Sequence, residues 1–404
     1  MLSASIGLVV AVAACQSGPP PTPEANILIG SDFPISGFFG DTPPAMQAIQ
    51  LAVEQHPTIG RFRLGYLSLD DAVAGVATPE KGIQNVSQLI DDSRVLGVIG
   101  PWVSYIARDE IPLTNTVPLA LISSSTTNNC LTRSVPACFA RAGKLRPSGP
   151  NNFFRISPPD LLQGAAMARY LTSALHNPRV AAINEWGDDG ALYLDSFRTE
   201  LARNGGTLVF SAELAPGTTQ FGDFLAEASR RGAQVIYALG DIDHQICVAR
   251  LQMSPDVLFA GTDGFTKSDD CIKQAGANAS GMVGTLGDVD ATLSGSSAAM
   301  KAVRDYHKRF PRTNMQGFYT FATYDCALML IDAIQRAVDA NHGGIPTRQQ
   351  VLEALAQTRT FVGATGTYTF NASGDATTPL MTLYKVVDGK WVYQSRVDLS
   401  SSQG

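Results

Sequence analysis

From residue 27 onward the chain alternates short, almost wholly apolar runs with longer segments whose apolar residues recur at helical spacing, and few architectures accommodate that rhythm. Strands are expected at 27–30, 62–69, 95–99 and 118–122, with helices at 45–55, from Thr78-Pro79 through Ile90, and at 103–115. Thr78 has the residue type of a hydroxyl cap and Pro79 that of a first helical position. Strands that read as continuous apolar runs are buried on both faces, which predicts a parallel sheet covered by helices.

A polar, cysteine-bearing stretch interrupts this rhythm over 123–151, after which it resumes. Strands at 153–156, 180–183, 207–212, 235–239 and 257–260 now alternate with helices at 161–175, 191–204, 221–231 and 244–253. Beyond Gly284 come three helices, at 298–310, 318–340 and 347–356, and then a hairpin-like tail of 380–387, the turn Asp388-Gly389, and 391–395. Two α/β units in sequence, with helices returning and strands closing the chain, predict two lobes joined by more than one crossing.

The 404 residues are enough for such a pair of cores. Thirty basic against thirty-six acidic residues leave a net charge of −6, the wrong sign for neutralising phosphates, so a nucleic-acid partner is not expected. Residues 2–14 form an uncharged apolar run too short to span a bilayer and read as a signal peptide over 1–14. Val12-Ala13-Ala14-Cys15 resembles the bacterial lipobox, which makes Cys15 the lipidated first residue of a mature chain and 15–26 its Pro-rich tether. That location is oxidising. Cys130 and Cys138 flank a short loop and are the first disulfide candidates, Cys247 and Cys271 the second, and Cys326 reads as a core thiol. No Cys-x-x-Cys or paired-His spacing calls for a metal, and no motif calls for a cofactor.

Ile29-Gly30, Pro34-Ile35-Ser36-Gly37 with Gly40, Ala48-Ile49-Gln50-Leu51-Ala52-Val53-Glu54, and Leu69-Asp70-Asp71 ahead of Pro79-Glu80-Lys81 stand in order along the chain. With the motifs that continue the series, they resemble the type I periplasmic binding proteins, in the leucine/isoleucine/valine-binding branch of ABC-importer receptors. Val98-Ile99-Gly100-Pro101 with Ser104 follows, then Pro118-Leu119-Ala120-Leu121-Ile122-Ser123 with Thr126-Thr127. Phe154-Arg155-Ile156-Ser157-Pro158, Gly261-Thr262-Asp263-Gly264 and Gly366-Thr367-Tyr368-Thr369-Phe370 complete the set. The resemblance implies an α/β fold of two Rossmann-like lobes on a three-crossing hinge, lobe 1 being 27–155 plus 286–366 and lobe 2 being 156–285 plus 367–400. It also implies a monomeric lipoprotein outside the cytoplasmic membrane that closes over a small ligand, an amino acid or related amide or amine, and delivers it to an ABC permease. A sensory lipoprotein presenting its ligand to a membrane sensor is the alternative.

In open α/β sheets ligands bind beyond the carboxyl ends of the strands, where helix N-termini offer free amides. Ser104, Ser125, Thr126 and Thr127 follow two such strands, and the resemblance makes Ser104 and Thr127 the first-lobe contacts to the ligand's α-carboxylate and ammonium, with Asp263 facing the ammonium from the other lobe. Ordinary helix caps and a turn aspartate are the competing readings. Phe39 and Trp186 are the expected pocket walls. Asp241, after the strand 235–239, stands where the relatives often carry an aromatic residue, and with the insertion 128–150 it points away from an aliphatic ligand toward a polar, cationic or larger one. No nucleophile elbow, zinc-protease helix, phosphate loop or dinucleotide fingerprint is present, so an enzyme is not expected.

Overall fold

The structure, a computed structural model, describes residues 24–37, 42–133, 138, 144–241, 244–312, 317, 319–377 and 380–399. The signal segment, Cys15 and Phe39 lie outside the described residues. The first half runs β1 (Ile27–Phe33), α1 (Thr42–Gln55), β2 (Thr58–Ile59), β3 (Phe62–Asp70), the small hairpin β4 (Ala72–Val73) and β5 (Val76–Ala77), α2 (Pro79–Asp91), β6 (Val95–Ile99), α3 (Ser104–Thr116), β7 (Ala120–Ser123) and β8 (Phe153–Arg155). One sheet has the order β2-β3-β1-β6-β7-β8, parallel except at its β2 edge. Successive residues of β1 serve two cores: Ile27 and Ile29 pack with α1, whereas Leu28 packs with Val95, Val98 and Leu121. Burial on both faces is what the apolar runs demand.

The chain then enters α4 (Asp160–Ala174), β9 (Arg179–Asn184), α5 (Gly187–Arg203), β10 (Thr207–Glu213), α6 (Gly222–Arg230), β11 (Val235–Leu239), β12 (Leu258–Gly261), α7 (Asp269–Ala275) and β13 (Val283–Leu286). It returns through α8 (Ser297–Arg309), α9 (Thr320–Ala340) and α10 (Arg348–Ala356) to the first core, where Leu330 and Ile334 lie buried. After β14 (Phe361–Val362) and β15 (Thr367–Tyr368) it goes back to β16 (Leu380–Val387) and β17 (Lys390–Asp398). The second sheet is β10-β9-β11-β12-β13-β16-β17, with the last two strands antiparallel. Three passages thus link two lobes. Among the described residues no helix is long and apolar enough to cross a membrane.

Three expectations are corrected. Tyr368 and Phe370 were assigned to the second lobe but are buried in the first core, because β15 pairs with β14 and the following turn zips onto Arg155. Gly374 makes that zip possible: its carbonyl accepts from the Arg155 amide at 2.9 Å, and a Cβ there would lie 2.0 Å from the Phe153 oxygen. The helix expected at 244–253 is a 3₁₀ turn, Ile246–Gln252, entered through Gln245 in the left-handed region. It is tied by the Cys247–Cys271 disulfide and by the Arg250 guanidinium, which donates to the Asn278, Ser254 and Val257 carbonyls. Thr78 stands at the N-cap of α2 but its hydroxyl makes no cap bond; the Lys81 and Gly82 amides go to its carbonyl. Cys130–Cys138 and Cys247–Cys271 are both formed, and Cys326 is a buried free thiol.

Candidate functional site between the lobes

Leaving aside the edge additions, both sheets share one strand order, 2-1-3-4-5, whose crevice opens at the carboxyl ends between the first and third strands. On the first lobe the crevice is walled by the turns after β6 and β7. Val103, extended and without a side-chain cap, precedes Ser104, so the first-turn amides of α3 end at the crevice without a cap of their own. Ser104 is therefore not a cap. Its Oγ accepts the Asn128 amide at 3.2 Å, which leaves the hydroxyl proton for an acceptor in the cleft.

The turn after β7 is shaped from within. Ser123 Oγ donates to the Pro101 carbonyl at 2.8 Å and accepts the Ser125 and Thr126 amides at 3.3 and 3.1 Å. Ser125 Oγ donates to the Trp102 carbonyl at 2.7 Å and so spends its proton inside the wall. From behind, the fully buried Arg155 donates to the Thr126 and Asn128 carbonyls and pairs with Asp375 at 2.7 Å. Thr126 Oγ1 is buried with no hydrogen-bond partner.

The second lobe answers with carboxylates. Asp160 opens α4, and Gln163, one turn on, accepts the Asp263 amide at 3.3 Å and the Thr285 hydroxyl at 3.2 Å through Oε1. Trp186 follows β9 and donates its indole N–H to Asp241 Oδ2 at 2.7 Å, joining two residues 55 apart in sequence. Gly264 packs so tightly on this pair that a Cβ there would lie 2.3 Å from the Gly240 oxygen and 2.5 Å from Asp241 Oδ1. Across the cleft, Arg108 of α3 pairs with Asp189 of α5 at 2.5 Å.

At the hinge, Tyr319 adopts the left-handed region with φ of 56°. Its amide donates to Asp288 Oδ2 at 2.8 Å, and its ring stands edge-on to Trp102 at 5.8 Å between centroids.

Burial, and then the charge of Asp263, push the Asp160 carboxyl up to about 7, while the Thr127 hydroxyl and Arg155 pull the other way. Asp263 rises to about 6, again chiefly through burial and against hydrogen bonding from Gln163. Two carboxyls that resist ionisation, side by side in a polar crevice, are suited to a cation. Asp160 Oδ1, Gln163 Nε2, Thr262 Oγ1, Asp288 Oδ1 and Tyr319 OH are, like Thr126 Oγ1, buried without a partner. Buried polar atoms in folded proteins are nearly always bonded, so a row of them along one crevice marks where a ligand or water belongs.

The structure thus brings Ser104, Ser125, Thr126 and Thr127 to one wall and Trp186, Asp241 and Asp263 to the other. Asp160, Gln163 and Tyr319 were not singled out from sequence. Asp160 lies two residues beyond the Phe154-Arg155-Ile156-Ser157-Pro158 motif, which was the available signal. Among the described residues no cluster of three or more Asp, Glu, His or Cys is arranged to hold a metal ion.

A family model described as periplasmic binding protein matches residues 26–390. A Leu/Ile/Val-binding protein homologue of Brucella melitensis biotype 1 is 26% identical over 381 residues, covering 91% of this chain and 93% of its own. A leucine-binding protein, LivK, of Thermotoga maritima superposes with a TM-score of 0.75 at 20% identity, covering 93% of this chain and 99% of its own. The branched-chain amino acid transporter substrate-binding protein LivJ of Streptococcus pneumoniae, in complex with isoleucine, gives 0.74 at 20% identity, covering 92% and 99%.

Proposed function

Since the chain belongs to the periplasmic binding protein family, we propose that it is an extracytoplasmic solute receptor of an ABC importer that closes over a small amino-acid-like or amide-like ligand. The observation that carries this reading is the opposition of the two walls. Hydroxyls and helix-start amides on the first lobe suit a carboxylate, and Asp160 and Asp263 on the second suit an ammonium. A zwitterion bridging them would draw the lobes together, because only the closed form satisfies both of its ends. The Brucella relative carries the name of a Leu/Ile/Val-binding protein, and the Streptococcus structure holds isoleucine, which supports an amino acid or a close derivative. Lipidation of Cys15 and delivery to a permease complete the proposal.

A thermal-shift screen of amino acids, amides and amines, followed by calorimetry on the best hit, tests it. Ser104→Ala with Thr127→Val is expected to weaken that hit by about tenfold or more, the value of one or two hydrogen bonds to a charged group. Unchanged affinity in this double variant overturns the assignment of the carboxylate wall.

A further inference from the structure

We propose that Asp32 and Glu110 share one proton, and that this proton clasps α3 onto β1 and α2, so that the helix opening at the first wall keeps its place only while the proton stays bound. Asp32 is the last residue but one of β1, Glu110 lies in α3, and both side chains are fully buried. The two gather over Gly82 of α2: a Cβ there would lie 3.2 Å from Glu110 Oε1 and 3.7 Å from Asp32 Oδ2. Asn85, one turn further along α2, donates its side-chain amide to Asp32 Oδ1 at 2.7 Å and to the Asp70 carbonyl at 2.8 Å. Asp32 Oδ2, both oxygens of Glu110 and both of the equally buried Asp71 have no N–H or hydroxyl donor beside them. Asp32 and Glu110 are nevertheless within hydrogen-bonding reach of each other, and two carboxyl groups make that bond only when one of them carries a proton.

The charges around the pair favour keeping the proton. Asp70 acts on Asp32 from the end of β3, and Asp71 and Asp109 act on Glu110 from the turn beyond it and from α3 itself. Lys81 of α2 is the opposing charge, and its pull on Asp32 is the weakest of the influences there. Arg108, also on α3, pairs with Asp189 of the other lobe. Burial, and then the charge of Asp32, lifts Glu110 well above the usual carboxylate range, while burial lifts Asp32 to about 6 and Asp71 to about 9. An acid raised in the folded state stabilises the fold fully below its unfolded pKa and loses that contribution as pH rises through the folded one. The contribution of the clasp therefore erodes from about pH 5 upward. Loss of the proton leaves two carboxylates facing each other away from water, and α3 must shift to readmit it. Ser104, six residues before Glu110 at the start of the same helix, shifts with it. The clasp needs no ligand and does not rest on the receptor reading.

Urea unfolding of the full-length protein and of Glu110→Gln, both without ligand, between about pH 5 and pH 9 tests the clasp. Glutamine keeps the shape and offers Asp32 a donor that no change of pH removes. The ratio of unfolding constants, unaltered protein over variant, is expected to rise by at least about tenfold across that range, the limit for one proton being about tenfold per unit. Taking the ratio cancels the other raised carboxyls, Asp160, Asp263 and Asp325, which both proteins share. A ratio constant to within about threefold overturns the inference. Hydrogen exchange of the unaltered protein, read by mass spectrometry and corrected for intrinsic rates, is a second measurement that needs no variant. Amides of α2 and α3 are expected to lose protection at least about tenfold more than those of α5 between about pH 6 and pH 9, and an equal loss in the two sets overturns the inference.

Discussion

The two walls of the crevice are built on opposite principles. The first is braced from within and keeps only the Ser104 hydroxyl, Thr126 Oγ1 and the α3 amides open: Ser123 folds its own turn, Ser125 bonds the neighbouring loop, and Arg155 with Asp375 holds the wall's carbonyls from behind. The second is left incomplete, with raised carboxyls at Asp160 and Asp263 and unpartnered atoms on Asp160, Gln163 and Thr262. A rigid wall paired with an unsatisfied one is the arrangement in which binding energy goes into bringing the second wall to the first, and not into ordering both.

The largest expected effect comes from breaking the braced wall. Asp375→Ala leaves the Arg155 guanidinium buried without its carboxylate, a situation that costs about 3–5 kcal/mol. Urea unfolding is the measurement, and a loss under about 1 kcal/mol would mean that the first wall does not depend on this brace.

Removing charge from the unfinished wall comes next. Asp263→Asn is expected to lower affinity for an ammonium-bearing ligand by about 30-fold or more while sparing stability, since an asparagine keeps the shape. The same wall predicts a pH dependence whose sign follows from its carboxyls. Asp160 at about 7 and Asp263 at about 6 hold protons in the empty cleft that an ammonium must expel. Binding therefore releases protons, and the dissociation constant falls as pH rises through 6 and 7, by up to about tenfold per unit per proton released. Calorimetry in buffers of different ionisation enthalpy counts those protons, and a flat profile between about pH 5 and pH 8 contradicts the assignment.

The smallest effect concerns the contact between the walls. Arg108→Gln removes the interlobe ion pair with Asp189, whose side chains are 34% and 24% exposed, so a gain of about 1 kcal/mol at most is at stake. Stopped-flow measurements are expected to show release about three- to fivefold faster with little change in association, and the double swap Arg108→Asp with Asp189→Arg to restore it. Restoration by the swap separates a charge contact from simple packing.

The sequence reveals the scaffold far more clearly than the unfinished wall. Strands such as 95–99 and 235–239 are apolar on both faces and announce themselves, and the turns that follow them carry Ser104, Thr126, Thr127, Asp241 and Asp263 to the crevice by position alone. Asp160 is hidden because an acidic residue in the first turn of a helix is what the helix dipole favours anywhere. Tyr319 is hidden because its role depends on a left-handed backbone at the start of α9, a conformation that no tyrosine advertises. Arg108 and Asp189, 81 residues apart on two different helices, read in isolation as ordinary solvated charges. The pairing of Trp186 with Asp241 was likewise invisible, although both residues stood out singly.

The hairpin of β16 and β17 has a consequence for the order in which the molecule can be made. It supplies the last two strands of a sheet whose first member is β9, so the edge of β13 stays bare until nearly the whole chain is available. In synthesis from the amino end, neither lobe is complete before its late segments appear, and the open edge of the second is the point at which a nascent chain is exposed to wrong pairing. A truncation that stops short of residue 380 therefore strands the second lobe with an unpaired β13, while β1 to β8 retain their strand partners and the first core loses Tyr384, Trp391 and Tyr393 from its edge.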